Sequence, residues 1–483
     1  MEAVHSALNK VKRVRGLITA YNTNIDAVKH VQGADVEAIL RSDEKLRLEV
    51  LGKLGNPVGE VNDVPDVLAG LLQHMQGGVG GERLIQSEEV FQWLNRTLGY
   101  DELRMGGQAG IMANVLATLG VPFVVPHVAQ LPRVQAGLFM GNGNIRVPTF
   151  NGRDIVFKPP LEAVRPYDKQ LIHWILDFNA GAEVALNALK VKAPRSNRFI
   201  ATYDDDNTEI SVNTSFLEGA LKIVGRIDGV IVSGYHLLKR TYRDGSGFLE
   251  KIEVTLHQLT DWKTVNPCLK MHLELGSLHD PDIARAILEQ VTPLFNSLGL
   301  NEDELRDSLG FLGCGKLAEA LRDTPTAPKV YAGAKQLQRR LGIQRVNVHT
   351  RDFSLTLLKP SHWASSRSEL EALLLGAEAA ANRAATGRFM TLEELKEAVK
   401  EPFPGLSVEG LKQFEALADV LGEAGEGVEK TFLGQGFTVL DDVSVVFIPS
   451  KVVEKPLSTV GLGDAMTSAS FLLSLAAAHS MLG

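Results

Sequence analysis

Ser458-Thr459-Val460-Gly461-Leu462-Gly463-Asp464-Ala465-Met466 runs straight into an apolar stretch that continues from Ala465 to Leu482. Glycines let a backbone come close to a ligand. The start of a helix leaves several N–H groups without partners at the positive end of its dipole. Together they make an anion site. Asp464 is the odd residue there. A carboxylate is a good helix cap, but bound phosphate repels it unless its task is to take a proton from a nucleophile. The apolar stretch has about the length of a membrane span. However, Thr467, Ser468, Ser470, Ser474, His479 and Ser480 interrupt it, so a buried helix is expected.

Upstream of this stretch, apolar β-type runs alternate with helical patterns. Gly16 to Tyr21, Val121 to Val125, Gly229 to Ser233, Lys270 to Leu275, Arg345 to His349 and Val443 to Ile448 read as strands. GIMANVLATLG, Asp282 to Leu298, Asn301 to Leu309 and Leu370 to Ala385 read as helices. Strands spaced by helices predict βαβ units and a largely parallel sheet. Two regions break the rhythm. Residues 30–103 mix helix with glycine-rich turns, and 145–211 read as short strands (RVPTF, DIVFKPP, RFIATY) with a helical or irregular 168–188. The expected layout is a large α/β domain from 1–29, 104–144 and 212–483. A smaller α/β lid from 30–103 and 145–211 would hold ligand in the cleft.

The chain has 483 residues, roughly three domains' worth. At 45% hydrophobic and 22% charged it is neither disordered nor collagenous nor a disulfide miniprotein. Its formal net charge of −8 gives no global basic field for nucleic acid. Cys268 and Cys314 cannot make a four-thiolate metal site, and such low cysteine use fits a reducing cytoplasm. MEAVHSALNKVKRVRG has scattered charges and no apolar core, so it reads as a short amphipathic helix with Val11 and Val14 on one face, not as a signal peptide.

Two further motifs carry chemistry. Tyr21-Asn22-Thr23-Asn24-Ile25-Asp26-Ala27-Val28 follows the first strand, where amides and a carboxylate suit capture of neighbouring hydroxyls. An Asx turn is the plainer reading. In Arg104-Met105-Gly106-Gly107-Gln108-Ala109-Gly110, paired glycines open a helix, for close approach of a ligand or for tight helix packing.

With AYNTNIDAV, ELRMGGQAGIMAN, APRSNRFIATYDD, MHLEL and IPSKVVEKPLSTVGLGD in this order, the chain resembles the ADP-dependent glucokinases and phosphofructokinases of the ribokinase-like superfamily. The resemblance spans residues 20–467. It implies a ribokinase-like large domain with a lid, and a cytoplasmic glycolytic phosphotransferase using ADP, a hexose and Mg²⁺ or another divalent cation. A monomer is expected, with no nucleic-acid or membrane partner.

By the same resemblance, Asp464 is the catalytic base, the backbone N–H groups of Leu462, Gly463 and Asp464 form the anion hole, and Gly461 belongs to the same catalytic segment. Arg198 reaches from the lid to the terminal phosphate. Asn24, Asp26, Gly106, Gly107 and Gln108 hold the sugar, and His349, Val452, Val453 and Thr459 hold the nucleotide. His272 and Glu274 organise the metal shell, through water. In a strand these two share one face, which suits that role. Relatives carry aromatic residues after the histidine. Here those positions read Arg351, Asp352 and Ser354, with Phe353 the only ring left.

The two sugars are harder to separate. Glu82 matches a glutamate of glucokinase-type members, and Ala180 stands where phosphofructokinase-type relatives place a phosphate-binding lysine; both point to glucose. Lys239, Arg240 and Arg243 look more like the phosphofructokinase type. An enzyme acting on fructose 6-phosphate, alone or as well, is the alternative. An ATP-dependent kinase and a non-catalytic sugar binder on the same fold are the others.

Overall fold

The computed structural model describes residues 10–141, 143–187, 189–398, 400 and 405–478. Its largest element is a nine-stranded sheet. From one edge the order is Phe437–Leu440, Val443–Pro449, Phe353–Leu358, Arg345–His349, Ser297–Leu300, Lys270–Glu274, Gly229–Val232, Leu17–Ala20 and Val124–Pro126. The six strands from Arg345–His349 to Val124–Pro126 are parallel; the other three are antiparallel.

Strands such as LITA and GVIV are buried along their whole length because helices cover both faces. Alternation divides their side chains between two cores. Ile18, Val230 and Val232 join one with Trp262, Leu305 and Leu337. Leu17 and Ile231 join the other with Met112, Leu375 and Phe471. In that second core the helix Leu462–Ala478 packs against Gln108–Thr118 and Ser366–Thr386. Among the described residues no helix is long and apolar enough to cross a membrane. His479 and Ser480 lie outside them.

A second sheet has five strands, in the order Gly81–Leu84, Asn197–Tyr203, Ile172–Phe178, Asn24–His30, Glu102–Gly106. Its own core, with Trp174, Leu176 and Phe199, is covered by helices Gly33–Ser42, Glu44–Lys53 and Val64–Gly77. The expected boundaries shift at three places. Asn24–His30 and Glu102–Gly106, each assigned in part to the large domain (24–29 and 104–106), are strands of the small sheet. The hairpin Val147–Phe150 with Ile155–Lys158, assigned to the lid, packs on helix Thr214–Ile223 of the large domain. Gly219 is the reason: a Cβ there would sit 2.5 Å from Pro148.

Local readings also change. The helix expected over 282–298 ends early and gives way to strand Ser297–Leu300, and 168–188 contains strands Ile172–Phe178 and Glu183–Leu186. Of the N-terminal helix, residues before Lys10 lie outside the described residues; Val11–Arg13 is a short 3₁₀ turn with Val11 and Val14 buried. Cys268 and Cys314 are both free.

Candidate active site

The parallel strands of the large sheet end in the residues that line two cavities. Residues 459–464 stand between the cavities, with Thr459 facing both. Ligands in open α/β sheets bind at this carboxyl edge.

The smaller cavity, about 240 Å³, takes Asn24, Asp26, Glu82, His173 and Arg198 from the small sheet, and Gly107 and Gln108 from a helix opening. Gly461 and Asp464 close it from the C-terminal segment. Asn24 Nδ2 donates to Asp26 Oδ1 at 2.9 Å, and Asn24 Oδ1 is buried with no donor among the described residues. Gln108 Nε2 donates to the Leu275 carbonyl at 3.2 Å, and Gln108 Oε1 likewise has no donor among the described residues. Buried acceptors need donors, and a polyhydroxylated ligand supplies them. Burial also raises the Asp26 carboxyl above its usual range, against the pull of His173 and the Asn24 bond.

Gly106, expected among the sugar contacts, lies one layer behind them. A Cβ there would be 2.0 Å from Asp26 Oδ1 and 2.4 Å from Asn24 Nδ2. Gly107 has φ +72°, and its Cβ would meet the Asn22 carbonyl at 2.6 Å. Gly106→Ala is therefore expected to displace the Asn24–Asp26 pair. Losing one hydrogen bond from the displaced carboxyl costs about 1.5–3 kcal/mol, so the KM for sugar should rise about tenfold to a hundredfold while the KM for nucleotide stays put. Steady-state kinetics with each substrate varied checks this.

Asp464 lies in the first turn of helix Leu462–Ala478, and 9% of it is exposed. Burial, and then the Glu274 charge, push its carboxyl up to about 7, against the opposing pull of Arg383 and His349. Arg383 belongs to none of the sequence motifs; it lies in the helix Ser366–Thr386. It is buried, donates from Nε to the Val460 carbonyl at 2.9 Å, and lies 3.9 Å from the Phe389 ring centre. Arg198 Nη1 meets Thr459 Oγ1 at 3.2 Å, so the small sheet touches the C-terminal segment at the cleft.

Glu82 accepts a hydrogen bond from the Thr202 hydroxyl and lies 3.8 Å from His173 Nδ1. His173 Nε2 bonds Asp204 Oδ2 at 2.9 Å. Burial alone would lower the His173 pKa, but Asp204, then Glu82 and Asp26, lift it to about 9. His236 also lines the cavity; burial brings it down to about 4, and its Nδ1 has no partner among the described residues. Neither histidine carried a motif signal.

The larger cavity, about 560 Å³, has an apolar wall of Ala377, Ala381, Val452, Val453 and Met466. His349, Arg351, Leu462 and Gly463 also line it. Phe353 does not: it is buried and stacks on Phe447 with ring centres 5.1 Å apart.

Glu274 lies behind this cavity. Its Oε1 meets His349 Nε2 at 2.9 Å; its Oε2 meets His272 Nε2 at 3.1 Å and accepts from Thr467 Oγ1 at 2.9 Å. Burial raises its pKa, but the two histidines outweigh that and hold it at about 2. His349 rises to about 9 for the reciprocal reason, Glu274 overcoming the cost of burial. Ala180 is in an exposed turn, and Lys239, Arg240 and Arg243 do not line the smaller cavity. Arg240 pairs with Asp280 and Asp282, and Lys239 lies 3.8 Å from Asp205.

A glycine-rich helix start set between a cavity for hydroxyls and an apolar-walled cavity defines a small-molecule kinase. Residues 15–473 match the ADP-specific phosphofructokinase/glucokinase conserved region. The chain is 34% identical to an ADP-dependent glucose/glucosamine kinase of Pyrococcus abyssi, over 98% of this chain and 97% of that one. It is 30% identical to an ADP-specific phosphofructokinase of Methanosarcina acetivorans, over 98% and 96%. Among solved structures, the last common ancestor of ADP-dependent phosphofructokinases from Methanosarcinales superposes with a TM-score of 0.85 at 31% identity, covering 98% of this chain and 97% of that one. An ADP-dependent kinase in complex with fructose 6-phosphate and ADPβS superposes at 0.82 and 30%, covering 98% and 96%. The chain belongs to the ADP-specific phosphofructokinase/glucokinase family and is an ADP-dependent sugar kinase.

Proposed function

We propose that the chain transfers the β-phosphoryl group of ADP to the 6-hydroxyl of D-glucose, giving glucose 6-phosphate and AMP. The observation that carries this is the position of residues 459–464 as the wall between the two cavities. Asp464 faces the sugar side, while Leu462 and Gly463 face the nucleotide side. The 6-hydroxyl gives its proton to Asp464 and its oxygen bonds to the β-phosphorus. The bond from that phosphorus to the bridging oxygen breaks, and AMP leaves with the electron pair. A base with a pKa of about 7 suits this at neutral pH. The N–H groups of Leu462, Gly463 and Asp464, at the helix start, meet the charge spread over the phosphoryl oxygens. Arg198 supplies a cation from the other side of the cleft.

Mg²⁺ fits as a water-mediated partner. An ionised carboxylate offers about four acceptor sites. Three on Glu274 are taken by His349, His272 and Thr467, which leaves one on Oε1 for a metal-bound water. Bound there, Mg²⁺ would neutralise phosphate charge. The role of Glu274 and His272 is to hold that acceptor in place.

Glu82 supports glucose over fructose 6-phosphate. Its carboxylate lines the sugar-side cavity, where it can accept from a hydroxyl and would repel a sugar phosphate. The basic run from Lys239 to Arg243 lies off that cavity, with Arg240 already paired. The second reading, phosphorylation of fructose 6-phosphate alone or as well, is favoured by the relative and the solved structures named for that activity.

A donor-by-acceptor panel decides: ADP or ATP against glucose or fructose 6-phosphate. Turnover with fructose 6-phosphate and none with glucose would overturn the proposal; no product at all would leave a sugar binder. Glu82→Ala is expected to lower kcat/KM for glucose about tenfold to a hundredfold, the worth of a charge-assisted bond. It should spare or improve fructose 6-phosphate turnover. An unmoved ratio of the two efficiencies would make Glu82 an ordinary residue of the edge strand Gly81–Leu84.

A further inference from the structure

We propose that Arg345 and Ser297 are positioning residues for Glu274: through hydrogen bonds they fix the proton of His272 on Nε2, so that the imidazole always presents a donor to the carboxylate. This role rests on the assignment of Glu274 to the metal-water shell.

The relay is built by strand register. His272, Ser297 and Arg345 are direct partners across three adjacent parallel strands, so their side chains lie in one row on one face of the sheet. Arg345 is 1% exposed and Glu369 0%. Arg345 Nε and Nη2 donate to Glu369 Oε1 at 2.9 and 2.7 Å, and Arg345 Nη1 donates to Ser297 Oγ at 2.9 Å. Ser297 Oγ lies 2.7 Å from His272 Nδ1.

A guanidinium only donates, so Ser297 accepts from Arg345. Among the described residues Ser297 Oγ has no other polar partner than Arg345 and His272. Its hydroxyl hydrogen must therefore point at His272 Nδ1 or stay buried and unpaired, at a cost of about 1–3 kcal/mol. Nδ1 is then the acceptor and Nε2 carries the hydrogen. That hydrogen is the one that reaches Glu274 Oε2. Reversing any member would set two donors or two acceptors against each other. A buried ion pair such as Arg345–Glu369 adds little stability over a well-packed apolar pair. Its use here is direction: a donor that cannot lose its proton starts the chain. Gly299 leaves the room for it, since a Cβ there would lie 2.1 Å from Glu274 Oε2 and 2.8 Å from His272 Nε2.

The test is ¹⁵N-histidine NMR on the full chain, with kinetics on Ser297→Ala and Ser297→Thr. In wild type, His272 should show a proton on Nε2 and a hydrogen-bonded, unprotonated Nδ1. Ser297→Ala should lose the Nδ1 hydrogen-bond signature and lower kcat about tenfold, as loss of such an outer partner does. KM for both substrates should stay within about twofold. Ser297→Thr, which keeps the hydroxyl, should restore kcat. A wild-type His272 protonated on Nδ1, or a Ser297→Ala variant with full kcat, would overturn the proposal. Should the extra methyl of Ser297→Thr prevent folding, the other two proteins still decide. The wild-type spectrum reads the tautomer whether or not the chain phosphorylates a sugar, so a failure of the kinase mechanism would be seen separately.

Discussion

Asp464→Asn should lower kcat by about 10²–10⁴-fold while leaving ADP affinity within a few-fold of wild type, the usual contribution of a general base. The amide keeps the shape of the carboxyl but cannot take the proton of the sugar hydroxyl. It also removes a negative charge beside the phosphate site, so nucleotide binding has no reason to weaken. The accompanying sign is in the pH profile. With the carboxyl raised to about 7 by burial and by Glu274, the base form is lost as pH falls through that value. The wild-type kcat/KM should therefore drop on the acid side of about pH 7. Rapid-quench or coupled-assay turnover, with ADP binding by calorimetry, measures both halves. A variant turning over within tenfold of wild type would leave Asp464 as a helix cap.

Arg198→Ala should lower kcat by about 10²–10³-fold, comparable to removing one donor to a developing oxyanion. Arg198 comes from strand Asn197–Tyr203 of the small sheet, yet its guanidinium meets Thr459 at the start of the glycine-rich segment. Its charge is worth most where phosphoryl charge develops, so the loss should fall on the chemical step more than on sugar affinity. Single-turnover kinetics separate the two. Unchanged turnover with a raised KM for sugar would move Arg198 into the substrate pocket.

These two residues show how differently the site could be read in advance. Asp464 sits in a local signal: glycines, then a carboxylate, then an apolar helix. Arg198 was placed through its motif alone, since nothing in SNRFI says that it crosses a cleft. His173, His236 and Arg383 carried no signal, although the two histidines line the cavity and the Arg383 charge acts on Asp464. His173 is an isolated polar residue in an apolar run, and only neighbours from distant elements make these three residues part of the site. Phe353 was the one ring left near the expected adenine, and it went to the core because its strand alternation turns it toward Phe447. The basic run at 239–243 looked like a phosphate site, but Arg240 found Asp280 and Asp282 at the surface instead.

The sequence by itself determined the α/β alternation, the family and the motif residues, because strand runs, helix starts and glycine turns are written in neighbouring positions. Sheet allegiance and side-chain pairing came only with the fold. Asn24–His30 follows the first large-sheet strand after only three residues, yet joins the small sheet, since a strand's partner is chosen by long-range pairing and not by its own pattern. The row from Arg345 through Ser297 and His272 is likewise invisible in one dimension: 25 residues separate His272 from Ser297 and 48 separate Ser297 from Arg345. Only the register of three parallel strands sets them side by side.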